Sequence, residues 1–80
     1  MRKMATLNGD SKYCRVMLHD PQTNSGVYVY LYTSPMNVPC DADHWHPDFD
    51  SAEESLAEVF GNLDWQEIPD PEPGSAHDLL

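Results

Sequence analysis

Positive charge is nearly absent from most of this chain. The 80 residues include four Lys and Arg, and none of them lies beyond position 15. Of the 14 Asp and Glu residues, twelve lie in residues 41–80, so that half has twelve acids, no Lys or Arg and a formal charge of −12. Such a field repels phosphate backbones and attracts basic protein surfaces. We therefore expect a basic protein partner and no nucleic-acid binding.

Long apolar runs are also missing. The longest, Val27–Tyr32, has six residues, whereas a membrane-spanning helix needs about 20. Residues 1–10 lack the apolar segment of a secretory signal, so we expect a cytoplasmic protein that does not enter membranes. In that compartment Cys14 and Cys40 are expected as reduced thiols, with a disulfide between them as the alternative.

The arrangements that usually mark catalysis are missing too. The chain has four glycines and no glycine-rich phosphate loop. Cys40 and His44 could form a nucleophilic pair in principle. However, so short a chain leaves little room for a shaped pocket, and the neighbouring acids would raise the Cys40 pKa and disfavour its thiolate. We expect no enzymatic activity.

Two stretches alternate with the period of a β-strand. They are residues 12–19 and 27–33, and a cluster of turn-forming residues joins them, which predicts an antiparallel hairpin. The core face of this hairpin is predicted to hold Cys14, Val16, Leu18, Val27, Val29 and Leu31. The opposite face, here called the tyrosine face, is predicted to hold Tyr28, Tyr30 and Tyr32, with Tyr13, Arg15 and Met17 beside them.

One amphipathic helix is predicted to begin at Ser51. Ser51 and Glu54 have the spacing of a capping box, Asp50 is an alternative cap, and Gly61 is placed to end the helix. Its apolar stripe would consist of Ala52, Leu56, Val59 and Phe60.

A third strand is predicted at residues 63–68, which completes a small α+β fold. The sheet would be antiparallel, in ββαβ order, with the helix packed on one face. Residues 1–10 would form an N-terminal arm or a short edge strand, and residues 11–68 the domain. Residues 69–80 are rich in proline and acid, and we expect them to be extended or disordered.

The segment from position 40 to position 46 concentrates groups that bind metals. Its sequence is Cys-Asp-Ala-Asp-His-Trp-His. The spacing of its thiol and imidazoles is acceptable for zinc but is not one of the strong zinc signatures. The alternative is a polar connector that Trp45 or Phe49 anchors between helix and sheet. The candidate zinc ligands are Cys40, His44 and His46, with Asp41 or Asp43 as a fourth.

The tyrosine face is the second candidate site. One helix can cover only one side of the sheet, so this face is open, or is covered by the connector, the tail or another chain. Tyrosine, tryptophan and arginine are enriched in protein interfaces, although cross-strand aromatic pairs also stabilise sheets without a partner. The candidate partner-binding residues are Tyr28, Tyr30, Tyr32 and Trp45.

Several short motifs resemble a family of small bacterial proteins of unknown function. They are Cys-x-Ala-Asp-x-Trp from Cys40, Phe60-Gly61, Trp65, and Ile-Pro-Asp-Pro-x-Pro-Gly from Ile68. The resemblance covers roughly residues 28–78. It implies a small bacterial domain and identifies no catalytic or binding residue.

Taken together, these features predict a small acidic interaction module without catalytic activity. Two alternatives stay open. One is a zinc-binding protein that uses the Cys40–His46 segment, and the other is a homodimer formed through the tyrosine face.

Overall fold

Five short strands and one helix make up the regular structure of residues 1–7, 12–21, 26–34, 39–71, 76 and 78, which are the residues described in this computed structural model. Every pair of neighbouring strands is antiparallel. The elements are β1 (Arg2–Thr6), β2 (Arg15–His19), β3 (Val27–Tyr32), β4 (Ala42–His46), α1 (Phe49–Phe60) and β5 (Gln66–Ile68).

The α+β class and the antiparallel sheet are confirmed, but the predicted ββαβ order is wrong. Four strands precede the helix, and the sheet order is β4-β3-β2-β1-β5. The segment expected to be a connector contains β4, which lies between Pro39 and Pro47. Prolines can flank a strand at the edge of a sheet without removing a hydrogen bond from its interior.

β1 is an interior strand, not an arm or an edge strand, because β2 pairs with one side of it and β5 with the other. Its sequence hides the alternation, since Lys3 occupies the face where Ala5 and Leu7 are buried. The Nζ of Lys3 lies 4.8 Å from the Phe49 ring centroid and 3.5 Å from Oε1 of Glu53. The long aliphatic stem of lysine can thus cover apolar surface while its charge meets a carboxylate.

The aliphatic core of the hairpin is confirmed, with one change at its start. Val16, Leu18, Val27, Val29 and Leu31 are all buried in one cluster with Ala52 and Leu56 of the helix. We call this side of the sheet the helix face. Cys14, predicted in the core, lies outside the buried cluster, and Tyr13, predicted on the tyrosine face, packs against this cluster. Both predictions are wrong because the regular alternation of β2 begins only at Arg15.

The helix begins two residues earlier than predicted. Its N-cap is Asp48, whose side chain accepts a hydrogen bond of 2.7 Å from the Ser51 backbone N–H. The earlier start adds Phe49 to the packed surface, whereas Val59, predicted in the apolar stripe, is 71% exposed. Gly61 ends the helix as predicted, with a φ of 81°. In the part of the chain that the structure describes, no helix is long and apolar enough to cross a membrane.

The C-terminal part of the domain differs from the prediction in detail. β5 has three residues, while Leu63 and Trp65, placed in that strand by the prediction, precede it and pack against the core. The Nε of Arg2 donates a hydrogen bond of 2.7 Å to the Pro69 carbonyl. Residues 72–75, 77, 79 and 80 lie outside the described residues, so the extended or disordered tail stays a prediction.

Candidate functional site

The two candidate histidines lie on the helix face of β4. His44 is directly opposite Val29 of β3, and His46 is opposite Val27. Side chains opposite each other in an antiparallel pair point to the same side of the sheet. Both imidazoles are therefore on the side of the aliphatic core, two residues apart on an edge strand.

The contacts of Cys40 lie on the other side of the sheet, the tyrosine face. Its backbone N–H donates a hydrogen bond of 2.8 Å to Oδ2 of Asp78, and the Asp78 carbonyl accepts one from the Tyr32 hydroxyl on the tyrosine face. Burial, followed by the hydrogen bond and the charge of Asp78, raises the pKa of the Cys40 thiol to about 11. Cys40 therefore keeps its proton at neutral pH.

The structure does not bring the three predicted zinc ligands together. Cys40 lies beside Asp78, whereas His44 and His46 are on the opposite side of β4. Among the residues described, no group of three or more His, Cys, Asp or Glu is placed to hold a metal ion. The zinc site stays a prediction, and it would require Cys40 to move to the helix face.

The two aspartates considered as fourth ligands have different surroundings. Oδ2 of Asp41 accepts hydrogen bonds from the Thr33 backbone N–H at 2.7 Å and from its hydroxyl at 2.8 Å. These bonds hold the pKa of the Asp41 carboxyl below its usual range. Asp41 thus closes the connection between β3 and β4, while Asp43 lies exposed within β4.

The tyrosine face is partly covered. Tyr32 and Met17 are completely buried, and the Arg15 guanidinium lies 4.2 Å from the Tyr32 ring centroid. Tyr28 and Tyr30 are half-buried and stack with their ring centroids 6.4 Å apart. Tyr32 consequently cannot touch a partner in this conformation. The accessible part of the predicted interface consists of Tyr28, Tyr30 and Trp45, which lies directly opposite Tyr28 on the same face and is 54% exposed.

A groove between β4 and α1 is a further candidate site, on the helix face. Val59 in its lining is 71% exposed, whereas the side chain of Trp45, opposite Tyr28, points to the other side of the sheet. The groove has a volume of about 520 Å³ and runs from the helix face of β3 and β4 to one flank of the helix. Its lining includes Val29, Leu31, His44, Trp45, His46, Leu56, Val59 and Phe60.

The sequence pattern does not predict this groove, because it places Val59 in the core and the Cys40–His46 segment in a connector. A usable signal was present. Ala42, His44 and His46 alternate with Asp43 and Trp45 between two prolines, which is the period of a short edge strand. The signal is weak because neither set of alternating residues is uniformly apolar.

Two exposed acids lie on the helix flank of the groove. Glu54 is next to Ser55 and Glu58 is next to Val59, whereas exposed Asp43 is opposite Tyr30 on the other side of the sheet. The Nζ of Lys12 lies 5.5 Å from the ring centroid of Tyr13, which also lines the groove. The groove thus has a mainly apolar lining and an acidic flank on the helix side.

No protein-family model matches the chain, and neither the curated proteins nor the solved structures contain a match. The resemblance to small bacterial proteins therefore stays a prediction that depends on its motifs alone.

Proposed function

We propose that this protein is a small interaction module without catalytic activity, and that it binds a basic protein partner through the groove between β4 and α1. The observation that carries the proposal is the exposure of Val59 in an apolar groove whose helix flank carries the exposed acids Glu54 and Glu58.

The apolar groove supports a binding role. Fully burying a side chain such as valine contributes about 1.5–3 kcal/mol, so leaving Val59 exposed gives up stability that the fold could have used. A partner that fills the groove would remove the Val59 side chain from water.

The charge distribution supports a basic partner. The four Lys and Arg residues are concentrated in the first 15 positions, and Arg2 and Arg15 are buried. The helix flank of the groove, with exposed Glu54 and Glu58, is acidic. Electrostatic attraction to such a surface accelerates association and weakens as salt increases.

The state of Cys40 supports the absence of catalysis. A nucleophilic cysteine needs a lowered pKa and a nearby base. Here burial and Asp78 raise the pKa of Cys40 to about 11, and the two groove histidines lie on the opposite side of the sheet.

A capture experiment with matched variants tests this function. Immobilised protein is incubated with a bacterial lysate at low and at high salt, and retained proteins are identified by mass spectrometry. We expect the wild type to retain basic proteins at low salt and to lose them at high salt. Val59→Lys should abolish this capture, because it places a charge in the groove.

Glu67→Gln is the matched control. It changes the net charge by the same amount as Val59→Lys, but on β5, at the far end of the sheet. Capture that is equal for the wild type and Val59→Lys, or that is lost equally in both variants, would contradict the proposal.

A further inference from the structure

We propose that the partner contributes an extended basic and apolar segment that pairs with the outer edge of β4 as a sixth strand. This inference rests on the function proposed above and specifies the conformation and chemistry of the segment that binds.

The outer edge of β4 is the structural reason for an extended partner. β4 pairs with β3 on one side, and in the described part of the chain no strand pairs with its other side. An edge strand presents a row of backbone N–H and C=O groups that can pair with another strand. Peptides that bind in this way gain affinity from main-chain hydrogen bonds and specificity from alternate side chains.

The length of β4 limits how much of the partner can pair. The strand has five residues, Ala42–His46, and prolines stand shortly before and directly after it. Proline has no backbone N–H to donate to an added strand. The pairing is thus confined to a short segment, as in recognition of a peptide motif.

The groove provides sites for the side chains of the added strand. Successive side chains of a strand point to opposite faces, so every second side chain of the partner would point to the helix face. There it would meet His44, His46 and Val59, which line the groove. The groove volume of about 520 Å³ lies within the range of about 300–1,000 Å³ typical of ligand pockets.

The charges near the groove select among extended segments. Exposed Glu54 and Glu58 lie on the helix flank of the groove, and exposed Asp43 lies on the other side of β4, so a segment with alternating apolar and basic residues is complementary. A second copy of this chain brings a net charge of −10 to a surface of the same sign, which disfavours pairing of β4 with itself. The occupant inferred here is therefore a basic segment of a different protein.

Titration with synthetic peptides tests strand addition directly. The probe is a capped peptide of alternating valine and lysine, long enough to pair with all five residues of β4. Amide chemical shifts of the isotope-labelled protein report the site. We expect the shifts to change along β4 and on the Ser55–Phe60 flank of the helix, and a valine–glutamate peptide to produce no change.

N-methylation of the peptide separates strand pairing from other binding. Methyl groups on the amides that face β4 should weaken binding about tenfold or more, because each removes a main-chain hydrogen bond. Methyl groups on the amides that face away should leave the affinity unchanged. Val59→Lys should weaken binding by a similar factor, whereas Glu67→Gln should have no effect.

Four outcomes would overturn strand addition, and the last of them would overturn the proposed function as well. Equal effects of methylation on either edge would show that the backbone does not pair with β4. Concentration-dependent sedimentation with shifts in β4 alone would show that a second copy occupies the edge. Binding of a basic helical peptide in the groove, without binding of the extended one, would overturn strand addition but leave the proposed function intact. If neither basic peptide changed the groove shifts, both proposals would fail.

Discussion

At the scale of single residues, Gly26 determines where Trp45 lies. Gly26 has a φ of +95°, and a Cβ added there would lie 2.6 Å from Cζ2 of the indole. Two requirements therefore coincide at this position. The backbone conformation favours glycine, and the ring of Trp45 occupies the space that any other side chain would need.

Gly26→Ala should destabilise the protein by about 1–3 kcal/mol, because it adds a steric clash to an unfavourable backbone conformation. It should also shift the tryptophan emission, since the indole of Trp45 must move. Urea unfolding followed by fluorescence measures both effects.

Gly61→Ala is the control that measures the cost of a positive φ without a steric clash. Gly61 has a φ of +81°, and no atom lies within 4 Å of an added Cβ. This substitution should cost about 1 kcal/mol from the backbone alone and leave the emission of the folded protein unchanged. An equal spectral change in both variants would contradict the role assigned to Gly26.

Cys40 and Asp78 form the second informative residue pair. Burial is the largest cause of the raised pKa of Cys40. The hydrogen bond and the charge of Asp78, and then the charge of Asp43, raise this pKa as well. Because alkylation requires the thiolate, Asp78→Asn should accelerate the reaction of Cys40 with iodoacetamide at pH 8 by about three- to tenfold.

This rate is measured in a Cys14→Ser background, so that Cys40 is the reacting thiol. Asp70→Asn is the control, because it removes the same charge from a carboxylate that pairs with the N-terminal ammonium at 2.8 Å. The rate should stay near the wild-type value in that variant. Equal acceleration by both substitutions would indicate a general charge effect rather than the contact with Asp78.

At the scale of secondary-structure elements, the start of α1 depends on Asp48 rather than on Ser51 or Asp50. The Asp48 side chain accepts from the Ser51 N–H, and its carbonyl accepts from the Ala52 N–H at 3.2 Å. Ser51 takes part in this cap through its backbone N–H and not through its hydroxyl.

Asp48→Ala should therefore destabilise the protein by about 1 kcal/mol, within the range of about 0.5–2 kcal/mol for lost N-caps. Ser51→Ala should change stability by less than about 0.5 kcal/mol, because its backbone N–H remains. Unfolding in urea compares the two variants. A larger loss in Ser51→Ala than in Asp48→Ala would restore the cap that the sequence pattern predicted.

At the scale of the whole molecule, the covered tyrosine face links stability to alkaline pH. Burial, followed by the charge of Asp78, raises the pKa of Tyr30 to about 12 and raises that of Tyr32 as well. A group whose pKa is raised by folding contributes stability below its unfolded pKa of about 10, and this contribution disappears as pH rises toward the folded value.

The free energy of unfolding should consequently fall between about pH 10 and pH 12, with an earlier contribution from Cys40 above about pH 9. Urea unfolding at a series of pH values measures the slope. Tyr32→Phe should reduce the slope above pH 10, because the unfolded variant has one ionising hydroxyl fewer. An unchanged slope would contradict the assigned surroundings of Tyr32.

Local patterns were sufficient for part of the fold. The alternation of Val16 with Leu18, and of Val27 with Val29 and Leu31, predicted the hairpin and its core face, because the period of a strand is visible in neighbouring residues. Gly61 was predicted to end the helix for a similar reason. A residue that tolerates positive φ is needed where a helix stops.

Other features depend on contacts between distant segments. β1 shows no apolar alternation, and its interior position follows from pairing with both β2 and β5. In the same way, Cys40 was grouped with His44 and His46 because they are close in sequence. β4 begins after Cys40, so His44 and His46 lie on the helix face of this strand, while Cys40 contacts Asp78 on the other side of the sheet.

The amino-acid sequence by itself determined the acidic second half, the hairpin core and the presence of one amphipathic helix, because charge and short-range periodicity are properties of neighbouring residues. The tertiary structure alone decided that Tyr32 is buried, that β4 is an edge strand and that Val59 faces solvent beside a groove. The physical reason is that burial and edge position depend on which distant segments cover a residue.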